Sequence, residues 1–360
     1  MSRSTTAPAH PLPGDRAPDF WLPNPEGQFG RFYDRFQGNP VLLLFYRTAE
    51  APSAKAALEA LKARSAVWQA AGAKAVAVTR DSVEINAALQ PALDLPLTLF
   101  SDPEGAITRG YGADRLEDGL LCLLLDSNQR VLSAFAGSGS VVDRALDALA
   151  EADPLSDEDQ APVLLIPRVL SPQDCRELIA DWRADHAEGA IRARSTASED
   201  AASRVVDHAS KKRLDHRPGD ARNQALTEVV MRRVAPELMK CYQFETEALE
   251  RFCIAAYDAG RGDYFRPHRD NSTPQTATRR FALTLNLNED YEGGGLRFPE
   301  FGGRLYSTAA GGAVLFSCSL LHEALPVTRG QRFVALTFLY GKGDVQRKGQ
   351  SGLPPGFRQG

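Results

Sequence analysis

Arg266-Pro267-His268-Arg269-Asp270 is the stretch on which the C-terminal half of this chain turns. Successive side chains on an extended strand alternate between faces, so the pattern predicts His268 and Asp270 on the same face. Outward from it, short strand signals separated by turns recur at residues 251–257, 281–287, 295–298, 312–317 and 333–340. Runs of this kind predict a β-sandwich or barrel. Before them come a short strand at 163–166 and two helices. The first helix begins at Ser171-Pro172, where serine can cap and proline fits the first turn, and the second covers 221–240.

His322, in Ser319-Leu320-Leu321-His322-Glu323, adds a second imidazole to His268 and the Asp270 carboxylate. Two histidines and one carboxylate on one side of an ion leave adjacent positions exchangeable, the facial set of non-haem Fe(II). Taken alone, each histidine reads as an ordinary surface or core residue; the combination carries the metal reading. Arg332 follows on the next predicted strand, where its planar fork can clamp a carboxylate with two parallel hydrogen bonds. Tyr257 can fill the core or donate a phenolic hydrogen bond to the same anion.

These residues sit in an ordered series. Tyr257 to Gly260 precedes His268-Arg269-Asp270. Arg280 to Asn288 leads into Glu292-Gly293-Gly294-Gly295 and Phe298-Pro299. Gly311-Gly312-Ala313-Val314-Leu315-Phe316 precedes His322, and Gly330-Gln331-Arg332 follows it. In this order and spacing, residues 250–341 resemble the Fe(II)/2-oxoglutarate-dependent dioxygenases, most closely the prolyl 4-hydroxylase-like branch. The resemblance implies a double-stranded β-helix, or jelly-roll, with flanking helices and with His268, Asp270 and His322 as metal ligands and catalytic centre. It implies Fe(II), O2, 2-oxoglutarate as co-substrate and L-ascorbate as reductant, with succinate and carbon dioxide released as a substrate is hydroxylated. Arg332, Tyr257 and Asn286 are then the co-substrate contacts. Asn286 stands where the branch often has tyrosine, so one contact is altered, and Arg332 stands where some relatives carry lysine. The substrate, a peptidyl residue or a small molecule, is not identified by the resemblance.

Residues 207–217 hold two Asp-His pairs and four basic residues. Adjacent residues on a strand point oppositely, so neither pair is a natural chelate. A solvated charged loop is the simplest reading, and a rim or lid that contacts substrate is the functional one.

The N-terminal half alternates strand and helix signals: a buried strand at 41–46, a helix at 53–71, strands at 74–79 and 97–100, a helix at 81–89, two strands at 120–125 and 130–135, and a closing helix at 141–150. That order predicts a small α/β domain. Gly14-Asp15-Arg16-Ala17-Pro18-Asp19-Phe20, the Val41 to Tyr46 run and Leu124-Leu125-Asp126 make residues 13–149 resemble the peroxiredoxin branch of the thioredoxin fold. In that family a thiolate sits at the first turn of the helix after the first buried strand. Here Arg47 to Ala54 contain no cysteine, and the expected position falls near Ala54. Cys122 reads as core, and the domain as a binding or structural module. A non-catalytic scaffold and a peroxidase using a displaced thiol such as Cys122 are the competing functions.

The resulting expectation is a disordered N-terminus over 1–12, a thioredoxin-like domain over 13–152, a linker over 153–162, a dioxygenase domain over 163–344 and a flexible tail over 345–360. A length of 360 residues accommodates two such cores. A net charge of −4 argues against a general nucleic-acid binder. Five cysteines without a C-x-x-C pair, no signal-peptide core and no apolar run long enough for a bilayer predict a cytoplasmic protein away from membranes.

Overall fold

The computed structural model describes residues 10–94, 96–116, 119–137, 140–152, 159–192 and 204–344. The tail expected over 345–360, residues 1–9 of the expected N-terminal tail and most of the expected linker lie outside the described residues. The chain forms two compact units, one running through Gln160 and one from Ala161 onward, with the short Pro299–Gly303 stretch excepted from the second.

The first unit is built on a five-stranded sheet in the order Leu97–Ser101, Lys74–Thr79, Val41–Tyr46, Leu121–Leu125, Val131–Ala136. The first three strands are parallel and the last two antiparallel. Val41–Tyr46 is buried along its whole length because both faces of the sheet are covered. Leu42, Leu44 and Tyr46 pack on one side with the helices Pro52–Ala63 and Val141–Glu151. Val41, Leu43 and Phe45 pack on the other with Phe20, Phe32, Phe36 and Phe100. This is a thioredoxin-like domain.

The helix expected over 53–71 is two helices, Pro52–Ala63 and Ser65–Ala70. The break leaves the Leu61 carbonyl to accept the buried Trp68 indole N–H at 3.1 Å. A hairpin of Trp21–Pro23 and Phe29–Arg31 was not expected at all. Its strands are three residues each, too short to show a period.

The second unit has two large antiparallel sheets and two further two-stranded pairs, Ile191–Arg192 with Arg204–Val205 and Glu292–Gly293 with Val327–Arg329. The larger runs Leu164–Ile166, Ala313–Ser317, Phe281–Asn286, Gln331–Gly341, Cys253–Asp258, Leu214–His216, Ala187–Glu188, with Thr246–Leu249 also paired to Gln331–Gly341. The smaller runs Lys211–Lys212, Tyr264–His268, His322–Ala324, Leu296–Arg297, Leu305–Tyr306. Strand alternation sorts the larger sheet. Ile254, Ala256, Leu283, Leu285, Phe333, Ala335 and Leu339 meet Leu178, Trp182, Leu226, Val230 and Leu238 from the flanking helices. Cys253, Ala255, Tyr257, Thr284, Asn286, Arg332 and Val334 therefore take the opposite face. This unit is a jelly-roll with flanking helices.

Ser171 caps the helix Pro172–Ala184 through a reciprocal capping box with Asp174. The helix expected over 221–240 divides into Asp220–Arg233 and Ala235–Tyr242, where Pro236 enters the first turn of the second piece and cannot donate to a continuing ladder. Gly311, at φ +79°, closes the connection to the helices: its N–H donates to Asn286 at 2.7 Å, and its carbonyl accepts from Leu170 at 2.9 Å. A side chain there would run into the Leu170 carbonyl oxygen. No helix among the described residues is long and apolar enough to cross a membrane.

Candidate active site

His268 ends the strand Tyr264–His268 and His322 begins the strand His322–Ala324; the two are register partners in the smaller sheet. Asp270 lies beyond the strand, in the following turn, so the same-face argument based on strand period does not describe it. Its backbone N–H donates to the Cys318 carbonyl at 3.0 Å, and that bond brings the carboxylate back toward the histidines. The ligand atoms of all three residues lie within 4.8 Å of one another. His268 Nε2 is 3.5 Å from one Asp270 oxygen, and His322 Nε2 is 3.3 Å from the other.

Both rings are held by the same device. His268 Nδ1 faces the Arg266 carbonyl at 2.8 Å, and His322 Nδ1 faces the Leu320 carbonyl at 3.0 Å, each two residues upstream. A ring nitrogen facing a carbonyl carries the hydrogen, which in the neutral ring makes Nε2 the lone-pair atom. Carbonyl bonds of this kind orient a ligating imidazole. Burial, the largest effect, pushes His322 down to about 4, outweighing the Asp270 charge that favours its protonation. Burial alone would raise Asp270, yet His322, His268 and Arg279 together hold it at about 2. A neutral buried imidazole and an ionised carboxylate are the forms that bind a cation. The donor set and its free side fit non-haem Fe(II).

Arg279 supports this cluster and was not singled out by the sequence. Its fork grips Glu250 at 2.9 and 2.8 Å, and its remaining nitrogen donates to the Asp270 carbonyl at 3.2 Å. Nothing in the local pattern distinguishes it from a surface arginine.

Arg332 is 2% exposed on the inner face of the larger sheet, directly opposite Tyr257. One of its terminal nitrogens donates to the Gly294 carbonyl, and its Nε is buried without a partner. No carboxylate pairs with it among the described residues. A buried, unpaired guanidinium with an orphaned N–H fits an anionic ligand, since an uncompensated interior charge is costly. Tyr257 is also buried, and its hydroxyl accepts from Arg213 Nη1 at 2.7 Å.

Asn286 shares the inner face, but its amide hydrogens are committed to the Asn288 and Thr308 carbonyls at 2.8 and 2.9 Å. Its oxygen accepts from the Tyr291 hydroxyl at 3.2 Å. The amide thus pins backbone and has no hydrogen left for a ligand.

The solvated-loop reading of residues 207–217 fails for their centre. Lys211 is 4% and Arg213 6% exposed. Arg213 lies 5.5 Å from the ring centroids of both Tyr257 and Phe265, and Phe265 stacks on His268 at 3.6 Å. A continuous path of contacts therefore joins Tyr257 to the histidine cluster. The alternation Lys211, Arg213, Asp215 was the available sign that these residues share a face.

Residues 252–340 match the 2OG-Fe(II) oxygenase superfamily. The second unit is a 2OG-Fe(II) oxygenase domain. Within the first unit, residues 13–136 match the AhpC/TSA family. The chain is similar to the rat multifunctional procollagen lysine hydroxylase and glycosyltransferase LH3, with 37% identity over 103 residues, 27% of this chain and 13% of that protein. It is also similar to a PKHD-type hydroxylase of Synechococcus, with 27% identity over 128 residues, 34% of this chain and 56% of that protein. The chain thus spans less than two thirds of either relative. Among solved structures, a Pseudomonas putida prolyl-4-hydroxylase aligns with 50% of this chain and 93% of its own at TM-score 0.37 and 20% identity. The peroxidoxin BcpB of Mycobacterium tuberculosis aligns with 39% and 98%, at TM-score 0.36 and 24% identity.

Proposed function

We propose that this chain is an Fe(II)- and 2-oxoglutarate-dependent dioxygenase that hydroxylates a peptidyl residue or a small molecule. The observation that carries the reading is the convergence of two histidine Nε2 atoms on one ionised carboxylate, with both opposite ring nitrogens tied to backbone carbonyls. His268, Asp270 and His322 would hold the iron. When bound, Fe(II) with 2-oxoglutarate supplies the oxidising power, dividing the atoms of O2 between succinate, formed with loss of carbon dioxide, and the hydroxylated product.

The chain's own residues orient and exclude. Arg332 pairs with the distal carboxylate of 2-oxoglutarate, which satisfies its buried Nε, and Tyr257 donates its phenolic hydrogen to the same group. The rings of Phe265 and Phe316 lie 3.6 Å from His268 and 4.6 Å from His322, shielding the centre from water.

The thioredoxin-like domain serves in this reading as a binding or structural module. The chain has no cysteine before Cys122, which is 1% exposed, and burial pushes its thiol up to about 12, against use as a nucleophile. Succinate formation, measured with Fe(II), 2-oxoglutarate, L-ascorbate and candidate substrates, tests the whole. The wild type turns over only with Fe(II), and Asp270→Ala loses about a hundredfold or more. Equal turnover in the two proteins would sink the reading.

A further inference from the structure

Lys211–Lys212 pairs with Tyr264–His268 in the smaller sheet, whereas Leu214–His216 pairs with Cys253–Asp258 in the larger. Arg213 is the single residue between them, at the point where the chain crosses from one sheet to the other. Its side chain is buried there. Its Nε donates to Asp215 Oδ1 at 2.8 Å, and Asp215 Oδ2 accepts from Lys211 Nζ at 2.9 Å. Lys211 also donates to the Ala190 carbonyl at 3.3 Å, so the base of this chain of bonds is anchored to backbone. At its other end Arg213 Nη1 donates to the Tyr257 hydroxyl at 2.7 Å.

A phenol has one hydrogen to give and lone pairs to receive. With Arg213 donating to the oxygen, the phenolic hydrogen cannot return along that line and is directed elsewhere. Arg332 lies directly across from Tyr257, its guanidinium carbon 6.0 Å from the ring centroid, so the hydroxyl and the unpaired cation share one interior. Packing alone does not require this arrangement, because a buried ionic cluster is commonly replaced by apolar residues of similar size without loss of stability.

We propose that Arg213 is a positioning residue, locked by Asp215 and Lys211, that fixes Tyr257 as an obligate hydrogen-bond donor to the co-substrate carboxylate. The proposal rests on the 2-oxoglutarate reading above. It also assigns the 207–217 segment a place beneath the co-substrate, in addition to any contact its exposed residues make.

The test is a double-mutant cycle on 2-oxoglutarate affinity, measured by calorimetry on the anaerobic Fe(II)-loaded full chain. The proteins are wild type, Tyr257→Phe, Arg213→Lys and the double variant, with thermal melting to establish that each is folded. Lysine keeps the charge beside Asp215 but lacks the planar fork. Each single variant is expected to weaken binding about tenfold, and the double variant by about the same factor, because both changes remove one donor. A loss of about a hundredfold in the double variant would mean that Arg213 acts independently of Tyr257 and would overturn the proposal. Wild-type affinity in Arg213→Lys would overturn it as well. Absence of 2-oxoglutarate binding by the wild type would remove the co-substrate reading itself, and the proposal with it, which separates the two failures. If Arg213→Lys does not fold, Asp215→Asn takes its place in the same cycle, read against the same two factors.

Discussion

Arg332 and Tyr257 are directly opposed residues of neighbouring antiparallel strands, one a buried cation without an anionic partner among the described residues and the other already accepting a hydrogen bond from Arg213. The ligand-free domain therefore carries an unbalanced charge in its interior, and the first prediction follows from that imbalance. Arg332→Met is expected to make the ligand-free protein more stable by about 1 to 4 kcal/mol, since apolar replacement removes a desolvation cost. The same change should weaken 2-oxoglutarate binding about a hundredfold. Urea denaturation and calorimetric titration measure the two effects. A destabilised Arg332→Met protein would contradict the view that the charge is unbalanced.

Gly294 couples the glycine-rich turn to this cation. Its φ is +68°, its carbonyl accepts from Arg332, and a Cβ placed on it would come within 2.7 Å of Val327 Cγ2 and 3.2 Å of Arg332 Cδ. Gly294→Ala should cost about 1 to 3 kcal/mol in backbone strain and overpacking. Because the intruding methyl displaces Arg332 from its carbonyl, the KM for 2-oxoglutarate should rise in the same variant while the Fe(II) affinity stays at the wild-type value. An unchanged KM would show that Arg332 does not depend on this turn.

Lys211 gives a pH signature. Burial, and secondarily the Arg213 charge, lower it from 10.5 to about 8 despite its pairing with Asp215. Between those values the unfolded chain binds the proton more tightly than the folded one, so stability must rise with pH across that window. The cost of the buried ammonium is fully present below pH 8 and is relieved toward pH 10.5. The full effect is on the order of 3 kcal/mol. Urea midpoints of the wild type should climb relative to those of Lys211→Met over this range, and parallel curves would refute the assignment.

Thiol labelling separates the cysteines. Cys241 is exposed, while Cys122, Cys175, Cys253 and Cys318 are buried. In the native protein an alkylating reagent should modify Cys241 first, with Cys122 protected until the domain unfolds. Peroxide consumption should be no lower in Cys122→Ser than in the wild type. Rapid native labelling of Cys122, together with loss of peroxide consumption on its replacement, would restore a thiol activity to the first unit.

What the sequence made legible depended on how far each feature repeats. Val41–Tyr46 announced itself because a strand buried on both faces is apolar at every position. His268 and Asp270 were found by spacing, but the physical reason differs, since the strand stops at His268 and a turn held by the Cys318 carbonyl supplies the carboxylate. Arg213 escaped because charge composition predicts solvation, although its alternation with Lys211 and Asp215 puts the three on one face. Asn286 was read as a co-substrate contact; what could not be read was that the Asn288 and Thr308 carbonyls consume its amide hydrogens. The helix interruption at Arg64 fell within a run whose composition is helical throughout, whereas Pro236 marked the one at Val234.

The strands Tyr264–His268 and His322–Ala324 share only two register pairs, Phe265 with Ala324 and His268 with His322, with an irregularity between them. A cation held by His268, Asp270 and His322 would supply a crosslink where that ladder is weakest, joining two strand ends and a turn that backbone bonds alone hold loosely. Iron occupancy is then as much a matter of mechanical closure as of chemistry. Amide exchange at Arg266 to Asp270 should report the metal before any substrate is added.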